Sequence, residues 1–429
     1  MNKNVRFSLP MGLLALSQWL AAAETPRKEE SDMPRHWPTP IPGDCPFERS
    51  RDLRAAALTG RYKSYPVADY FTTSWATDGD LYATCGDGRG IWNAGLYKIA
   101  GDDPLNLKFT LLGNFNIKKG QAEKRRYGSC ILVKDGVCFY GFEDGWNTSS
   151  DTGLGRFWGF ACSREYDRVR GDITELLDGR WHLRADSGWT DPNRFQGRQS
   201  LKSDPSFRPG GFFDEPERVN RIRCPRFVDF GQEMALSLDG FAYMTAHGSE
   251  GDKPPEWANG DSIFLMRAKP TIEGLTRPEG WEFFAGHDAA QQPVWVRKSC
   301  EAKPLLTWTD KLGSASVTYL PERRKFIMCI APLVVKDHDG EKGGPKMYSA
   351  QGPLLLEADR LTGPWRVFQF LGNFGPNAYV MSMPSKFVAQ DNRSAWLLYS
   401  AGWGAKGLPP DPPGSQYAAC FLEVLIEGP

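Results

Sequence analysis

The chain has 429 residues, and its 52 basic and 52 acidic side chains give a formal net charge of zero. This length allows one large all-β domain or two domains of ordinary size. The neutral balance offers no electrostatic basis for nucleic-acid binding, and no basic run indicates contact with a membrane surface. Aromatic residues make up 13% of the chain. They are typical of β-sheet cores, and aromatic residues in loops can stack on sugar rings.

Residues 1–23 have the pattern of a secretory signal peptide. Lys3 and Arg6 precede an apolar run from Met11 to Leu20, and Ala21–Ala23 provides small residues for cleavage. The run is too short to span a bilayer, and no later segment approaches the ~20 apolar residues that a spanning helix needs. We therefore expect a secreted or periplasmic protein, monomeric and without a membrane span in its mature form.

Residues 24–60 form a proline-rich N-terminal arm, and a β pattern runs through residues 61–429. The clearest unit is Ser74–Trp92, in which two strands flank Asp78-Gly79 and a glycine-rich exit follows. Asp-Gly between strands is a strong hairpin signal because both turn positions require positive φ. Ser129–Gly145 repeats this pattern, and we interpret each unit as the inner half of a β-propeller blade.

A search for repeats predicts five blades. The inner hairpins turn near Asp78-Gly79, Asp135-Gly136, Asp239-Gly240, Glu322–Arg324 and Asp391-Asn392, the last within Ser385–Ala401. Arg61–Val67 is expected to complete the last blade, because an open ring would leave sheet edges bare. The predicted fold is an all-β, five-bladed β-propeller closed by an N-terminal strand. Residues 172–223, rich in arginine and aromatic residues, form a predicted insertion between blades 2 and 3.

The nine cysteines do not form an obvious disulfide framework. Four of them lie inside apolar strands, where cysteine acts as a small hydrophobic residue: Cys85, Cys130, Cys138 and Cys329. We expect mostly buried thiols, with room for one or two disulfides involving Cys45 or Cys420. No spacing typical of a zinc site is present. No cofactor is predicted, although a structural calcium ion in the channel would suit converging oxygen ligands.

Candidate site residues follow from propeller geometry. Each inner strand starts at one mouth of the central channel, and each second strand returns there, so two sets of residues meet. Those near the start of inner strands include Asp69, Tyr70, Arg126, Tyr127, Arg223 and Tyr379. Those after second strands are Asp87, Glu143, Asp144, His247, Glu250 and Trp403.

The carboxylates of this set, Asp69, Asp87, Glu143, Asp144 and Glu250, are the predicted catalytic residues. Glycosidic bond cleavage needs one protonated carboxyl group and one carboxylate that activates water or attacks carbon. The predicted substrate-binding residues are Arg126, Tyr127, Arg223, His247, Tyr379 and Trp403. Alternatively, Asp87 and Asp144 only bond nearby backbone amides at hairpin exits, and His247 is a structural loop residue.

Several segments resemble a group of secreted, five-bladed bacterial propellers that is largely uncharacterised and is related to arabinanase- and xylosidase-type glycoside hydrolases. These segments are WATDGDLYATCGDG, GSCILVKDGVCFYG, Trp281–Trp295 and Gly372–Phe387, together with the phrase Leu361-Thr362-Gly363-Pro364-Trp365. In arabinanase-type families that phrase joins the third and fourth strands of a blade. The resemblance implies acids from three blades, which by position are Asp69 or Asp87, Asp144, and Glu250.

The leading hypothesis from sequence is an exported glycoside hydrolase acting on a polysaccharide or oligosaccharide. A polysaccharide lyase is the first alternative, with His247 or Tyr127 as base and Arg126 and Arg223 neutralising a uronate. A non-catalytic glycan-binding propeller is the second. Fold alone does not decide among these three functions.

Overall fold

The computed structural model describes residues 34–86, 95–114, 126–144, 157–167, 182–183, 212–215, 221–250, 255, 259–332, 352–402 and 409–428. The predicted signal peptide 1–23, Asp87 and Trp403 lie outside these residues.

The regular secondary structure of the described residues is almost entirely β. In chain order the strands are β1 Ala55–Tyr65, β2 Thr72–Trp75, β3 Leu81–Cys85, β4 Gly95–Ala100, β5 Lys108–Asn114, β6 Arg126–Lys134, β7 Val137–Asp144, β8 Phe157–Ser163, β9 His182–Leu183, β10 Ile222–Phe227, β11 Ala242–Gly248, β12 Gly260–Ala268, β13 Trp281–His287, β14 Pro293–Val296, β15 Leu306–Leu312, β16 Ser316–Leu320, β17 Lys325–Ile330, β18 Leu354–Ala358, β19 Arg366–Phe370, β20 Tyr379–Ser382, β21 Ser394–Ser400 and β22 Ala419–Glu427. The described helices are α1 Ile272–Thr276 and the 3₁₀ turns Gln232–Met234, Pro278–Gly280, Ser299–Glu301 and Ser385–Phe387.

The strands form five antiparallel sheets, which are the five blades of a β-propeller. Blades 1, 2 and 4 have the strand orders β2-β3-β4-β5, β6-β7-β8-β9 and β16-β17-β18-β19. Blade 3 contains β10-β11-β12-β13-β14, and β15 also pairs with β12. Blade 5 has the order β20-β21-β22-β1. The five-bladed fold predicted from sequence is therefore confirmed.

The innermost strands of the five blades line a central channel. One small cavity in it is bounded by residues from every blade, including Thr72, Ile131, Arg226, Val317 and Ser382. Neighbouring inner strands contact one another from blade 1 through to blade 5. Polar bonds join several blades near the channel. The hydroxyl of Ser129 donates to the Pro225 carbonyl at 3.1 Å, for example.

The N-terminal strand closes the ring, as predicted. Strand β1 is the outermost strand of blade 5 and pairs antiparallel with β22. It begins at Ala55, within the predicted arm, because Ala56–Leu58 is buried and continues the pairing with β22. The described part of the arm, residues 34–54, packs on blades 4 and 5. Val367 bonds the backbone of Glu48 and Ser50 at 2.9 and 2.8 Å.

Two Asp-Gly turns use their aspartate side chains in the same way. Asp78 accepts hydrogen bonds from the backbone N–H two residues further on, at 3.1 Å, and from the Tyr82 hydroxyl at 2.9 Å. Asp239 repeats both contacts, with the second from the Tyr243 hydroxyl at 2.7 Å. These aspartates are turn residues, as expected from aspartate's tendency to bond its own turn.

The innermost strand of blade 5 differs from the prediction. Its first strand is β20, Tyr379–Ser382, whereas the predicted hairpin started at Ser385. The backbone N–H and hydroxyl of Ser385 bond the Asp229 carboxylate of blade 3 at 2.8 and 2.6 Å. Because this N–H is bonded to a side chain, it cannot join the strand ladder of blade 5.

The predicted insertion 172–223 is described at residues 182–183, 212–215 and 221–223, and these belong to the folded propeller. Phe212 and Phe213 are buried, and Phe213 stacks on Phe157 of β8 with ring centroids 5.4 Å apart. β10 begins within the last part of the predicted insertion.

All nine cysteines lie in the described part of the chain, and none of them forms a disulfide. Seven are buried, which confirms the expectation of mostly buried thiols, and the pairing of Cys138 with Val133 follows the Asp-Gly turn. No helix among the described residues has the length and apolar character needed to cross a membrane.

Candidate active site at the channel mouth

We use the word mouth for the end of the channel at which the innermost strands begin. In antiparallel blades the second strand ends there as well. The cross-strand partners Arg126 and Asp144 illustrate this in blade 2, as do Arg223 and His247 in blade 3. The structure describes only the backbone of Arg126 and Asp144.

A carboxylate–tyrosine pair joins blades 1 and 5 at this mouth. The hydroxyl of Tyr379 donates a hydrogen bond to Oδ2 of Asp69, and both residues are buried. Burial raises the pKa of Tyr379 well above its ordinary value, and the neighbouring Asp69 charge raises it further. The Tyr379 hydroxyl therefore keeps its proton and serves as a hydrogen-bond donor to the carboxylate.

A second carboxylate–tyrosine pair joins blades 1, 2 and 3. The Tyr70 hydroxyl donates to Oε1 of Glu143, and it accepts a hydrogen bond from Nη2 of Arg226 at 2.7 Å. Nη1 of Arg226 lies 4.0 Å from Oε2 of Glu143 and also bonds the Ser129 carbonyl. Glu143 and Arg226 are almost completely buried. An ion pair in such surroundings is much less screened than one at the surface.

The step from Asp69 to Tyr70 directs consecutive side chains to different blades. Tyr70 has a φ of 62°, which is unusual for a bulky residue. Its backbone N–H donates to Oγ of Ser400 in blade 5 at 3.0 Å, and the Asp69 carbonyl accepts from the Gly86 N–H at 3.0 Å. Such backbone conformations persist where surrounding contacts hold them, and they are concentrated at functional sites.

Gly86 allows the second strand of blade 1 to end close to this step. A Cβ atom at Gly86 would lie 3.2 Å from a ring carbon of Tyr127 and 3.3 Å from Cβ of Tyr70. Both separations are tighter than ordinary contacts between carbon atoms. Asp87 follows Gly86 in sequence, and its role stays a prediction.

Glu250 belongs to a different cluster on blade 3. Its Oε1 lies 2.5 Å from Nη2 of Arg221, and its side chain is 45% exposed. Arg221 is buried and also donates to the carbonyl groups of Ser299, Cys300 and Ala302 at 2.9–3.0 Å. These contacts hold Arg221, and through it Glu250, against the loop before β15.

His247 is fully buried, and its Nδ1 lies 3.4 Å from the backbone N–H of Ser314. These surroundings fit a structural histidine better than a base in contact with substrate, because a base must reach the proton that it removes. Arg223 and Tyr127, the other described members of the predicted lyase set, are also buried.

Among the predicted site residues that the structure describes, four are linked by direct contacts or through Tyr70: Asp69, Tyr127, Glu143 and Tyr379. Arg226 is absent from the predicted set although it is central to the mouth. Residues 221–226, Arg-Ile-Arg-Cys-Pro-Arg, contain three arginines. A strict two-residue alternation along β10 would assign the faces of these arginines wrongly, with Arg226 opposite to Arg221 and Arg223. The pairing register shifts between Arg223 and Arg226, so the regular two-residue period is broken.

One further carboxylate cluster lies away from the mouth. The carboxylate oxygens of Asp52, Glu357 and Asp359 lie within 4.8 Å of one another. Nζ of Lys325 lies 3.0 Å from Glu357 and 2.6 Å from Asp359, and it also bonds Asp52. The lysine ammonium supplies the positive charge at this position, so the cluster fits an ion-pair network between the arm and blade 4. A calcium ion in the channel stays a prediction.

No protein-family model and no curated protein sequence matches this chain. Solved structures match it over most of its length. An α-L-arabinofuranosidase from Podospora anserina has 10% identity, covers 93% of this chain and 99% of its own, and gives a TM-score of 0.40. An α-L-arabinanase from Cellvibrio cellulosa has 11% identity, with coverages of 85% and 92% and a TM-score of 0.42.

An N-acetylgalactosamine deacetylase from F. plautii also matches, with 12% identity, coverages of 91% and 94%, and a TM-score of 0.42. The arabinanase is of the type that the sequence motifs resemble. At these identities and TM-scores the likenesses carry no conclusion about the activity of this chain.

Proposed function

We propose that this protein is an exported glycan-degrading enzyme, a glycoside hydrolase that uses carboxylates at the mouth of its propeller channel. The observation that carries the proposal is the Asp69–Tyr379 pair. It places a carboxylate where blades 1 and 5 meet, with its orientation set by a buried hydrogen-bond donor. The strained step at Tyr70 and the buried Glu143–Arg226 pair beside it support this assignment.

In the proposed reaction Asp69 acts as an anion. It either removes a proton from water as the water oxygen attacks the anomeric carbon, or attacks that carbon itself. A second carboxyl group protonates the leaving oxygen as the glycosidic C–O bond breaks. Apart from Glu143, which is fully buried beside Arg226, the remaining predicted carboxylates are the candidates for this acid: Asp87, Asp144 and Glu250.

The test is a screen of the purified protein against neutral and uronate-containing polysaccharides. Release of new reducing ends without ultraviolet absorbance from unsaturated uronates is the expected result. Absorbing products would instead indicate a lyase, and retention on a glycan without products would indicate a binding protein.

Asp69→Asn should then abolish reducing-end release while leaving thermal unfolding nearly unchanged. Asp135→Asn is the matched control, because it removes the same charge at an exposed hairpin turn where asparagine tolerates the positive φ of 50°. The control variant should keep full activity. Equal activity in both variants would refute the role proposed for Asp69.

A further inference from the structure

The two described carboxylate–tyrosine pairs at the mouth look alike but have different surroundings. Each carboxylate accepts a hydrogen bond from a buried tyrosine hydroxyl, Tyr379 for Asp69 and Tyr70 for Glu143. Glu143 has no exposed surface, whereas 5% of Asp69 is exposed. Both side chains are buried, and Oδ1 of Asp69 is inaccessible, so the two pairs differ mainly in the partners that hold the carboxylates.

The contacts of Glu143 resemble those of a structural brace. Its hydrogen-bond partner Tyr70 comes from blade 1, and its nearby cation Arg226 comes from blade 3. The guanidinium of Arg226 also lies 4.8 Å from the centre of the Tyr70 ring. These three side chains therefore connect three blades around a buried charge pair.

We propose that Tyr379 is the positioning residue of Asp69, and that Tyr70, Glu143 and Arg226 brace the mouth. This inference rests on the proposed hydrolase function, in which Asp69 is the reacting carboxylate, and adds which residue orients that carboxylate. Tyr379 holds Oδ2 of Asp69 by its hydroxyl group. The left-handed backbone at Tyr70 directs the Tyr70 side chain toward Glu143 and away from Asp69.

Hydrogen bonding by Tyr379 stabilises the ionised form of Asp69. Other titratable or charged groups lie on each element packed around the two pairs. They are Tyr417 and Cys420 of blade 5, Tyr127 and Glu143 of blade 2, and Cys224 and Arg226 of blade 3. None of these groups is altered by the substitution of Tyr379.

Tyr379→Phe and Tyr70→Phe form a matched pair of variants, because each removes one buried hydroxyl from one carboxylate. Loss of a hydrogen bond to an anion raises the pKa of that carboxyl group. Tyr379→Phe should therefore move the acidic limb of the kcat/KM profile upward by about one to two pH units. Tyr70→Phe should lower the urea midpoint of unfolding and leave that limb in place. The substrate is the best one found for the unaltered protein in the glycan screen.

A limb that moves in Tyr70→Phe and stays in Tyr379→Phe would assign the reaction to Glu143 and overturn the proposal. If the acidic limb of the kcat/KM profile stays in place in both variants, the proposal is overturned as well, because neither tyrosine then changes the pKa of the reacting carboxylate.

Carboxyl labelling gives a second measurement that needs no substrate. The folded protein is treated with a carbodiimide and an amine at several pH values, and peptide mass spectrometry quantifies each labelled residue. Asp69, with 5% of its surface exposed, should be labelled more readily than Glu143, and the pH dependence of Asp69 labelling should move upward in Tyr379→Phe. Labelling of Glu143 before Asp69 would contradict the assignment. If labelling follows expectation but no glycan is cleaved, the hydrolase function fails while the difference between the two carboxylates stands.

Discussion

Replacing Arg226 by methionine tests how strongly the buried charge pair stabilises the fold. The substitution keeps a long side chain but removes a cation 4.0 Å from Glu143, which has no exposed surface. At an effective dielectric constant of about 20, two charges at ~4 Å interact by about 4 kcal/mol. Removing one partner of a buried pair costs about 3–5 kcal/mol, because the other charge stays buried. We expect the free energy of unfolding to fall by about that amount.

The assay is urea unfolding followed by tryptophan fluorescence. It is applied to Arg226→Met, Glu143→Gln and the double variant. Because the two side chains are in one network, their interaction energy should fall within about 0.5–3 kcal/mol, so the double variant is less destabilised than the sum of the single ones.

Lys98→Met is the matched control. Lys98 forms a shorter ion pair with Asp78, at 2.7 Å, but both side chains are partly exposed. Exposed pairs contribute about 0–1 kcal/mol, so the control should unfold nearly as the unaltered protein does. Two results would show that burial does not determine the cost of removing the cation. One is a loss of unfolding free energy below about 1 kcal/mol for Arg226→Met. The other is a loss for Lys98→Met as large as that for Arg226→Met.

Three other substitutions test the surrounding structure. Lys325→Met leaves the fully buried Glu357 without its ammonium partner, so we expect a loss of about 3–5 kcal/mol and faster hydrogen exchange in residues 50–53, measured by mass spectrometry. Gly86→Ala places a methyl group in tight contact with Tyr127. The free energy of unfolding in urea should fall by about 1–3 kcal/mol. An unchanged free energy would mean that Tyr127 and Tyr70 can move to accommodate the methyl group. Burial raises the pKa of Asp229, despite its bonds from Ser385. A raised folded-state pKa stabilises the fold below the unfolded pKa of about 3.9, and this stability is lost as pH rises through the folded pKa. As pH rises from about 3.9 through the folded-state pKa of Asp229, the stability of the unaltered protein relative to Asp229→Asn should therefore decrease. A stability difference that does not depend on pH would contradict a raised pKa for Asp229.

The local sequence was sufficient to predict the hairpins and their turns. Asp78-Gly79 and Asp239-Gly240 could be assigned because the conformation at each turn depends on the turn residues themselves and their near neighbours. The phrase Leu361–Trp365 lies between β18 and β19, the third and fourth strands of blade 4, as its resemblance implied. Repetition of such local units was enough to predict five blades and the closing strand β1.

Strand boundaries depended on distant partners and were less accurate. The first strand of blade 5 is Tyr379–Ser382 because Ser385 is bonded to Asp229, more than 150 residues earlier in the chain. Sequence alone shows no connection between these two residues. The same holds for β15, which pairs with β12 of its own blade and had no counterpart in the repeat.

For the candidate site, the sequence by itself determined which carboxylates and aromatic residues stand where strands begin and end. That was enough to name Asp69, Glu143 and Tyr379. Only the tertiary structure decided that Tyr379 bonds Asp69, that Tyr70 bonds Glu143, and that Arg226 lies beside the latter. The physical reason is that these contacts join side chains from different blades. Their geometry depends on a register shift in β10 and on a left-handed residue at Tyr70, both of which are stabilised by neighbours far away in the chain.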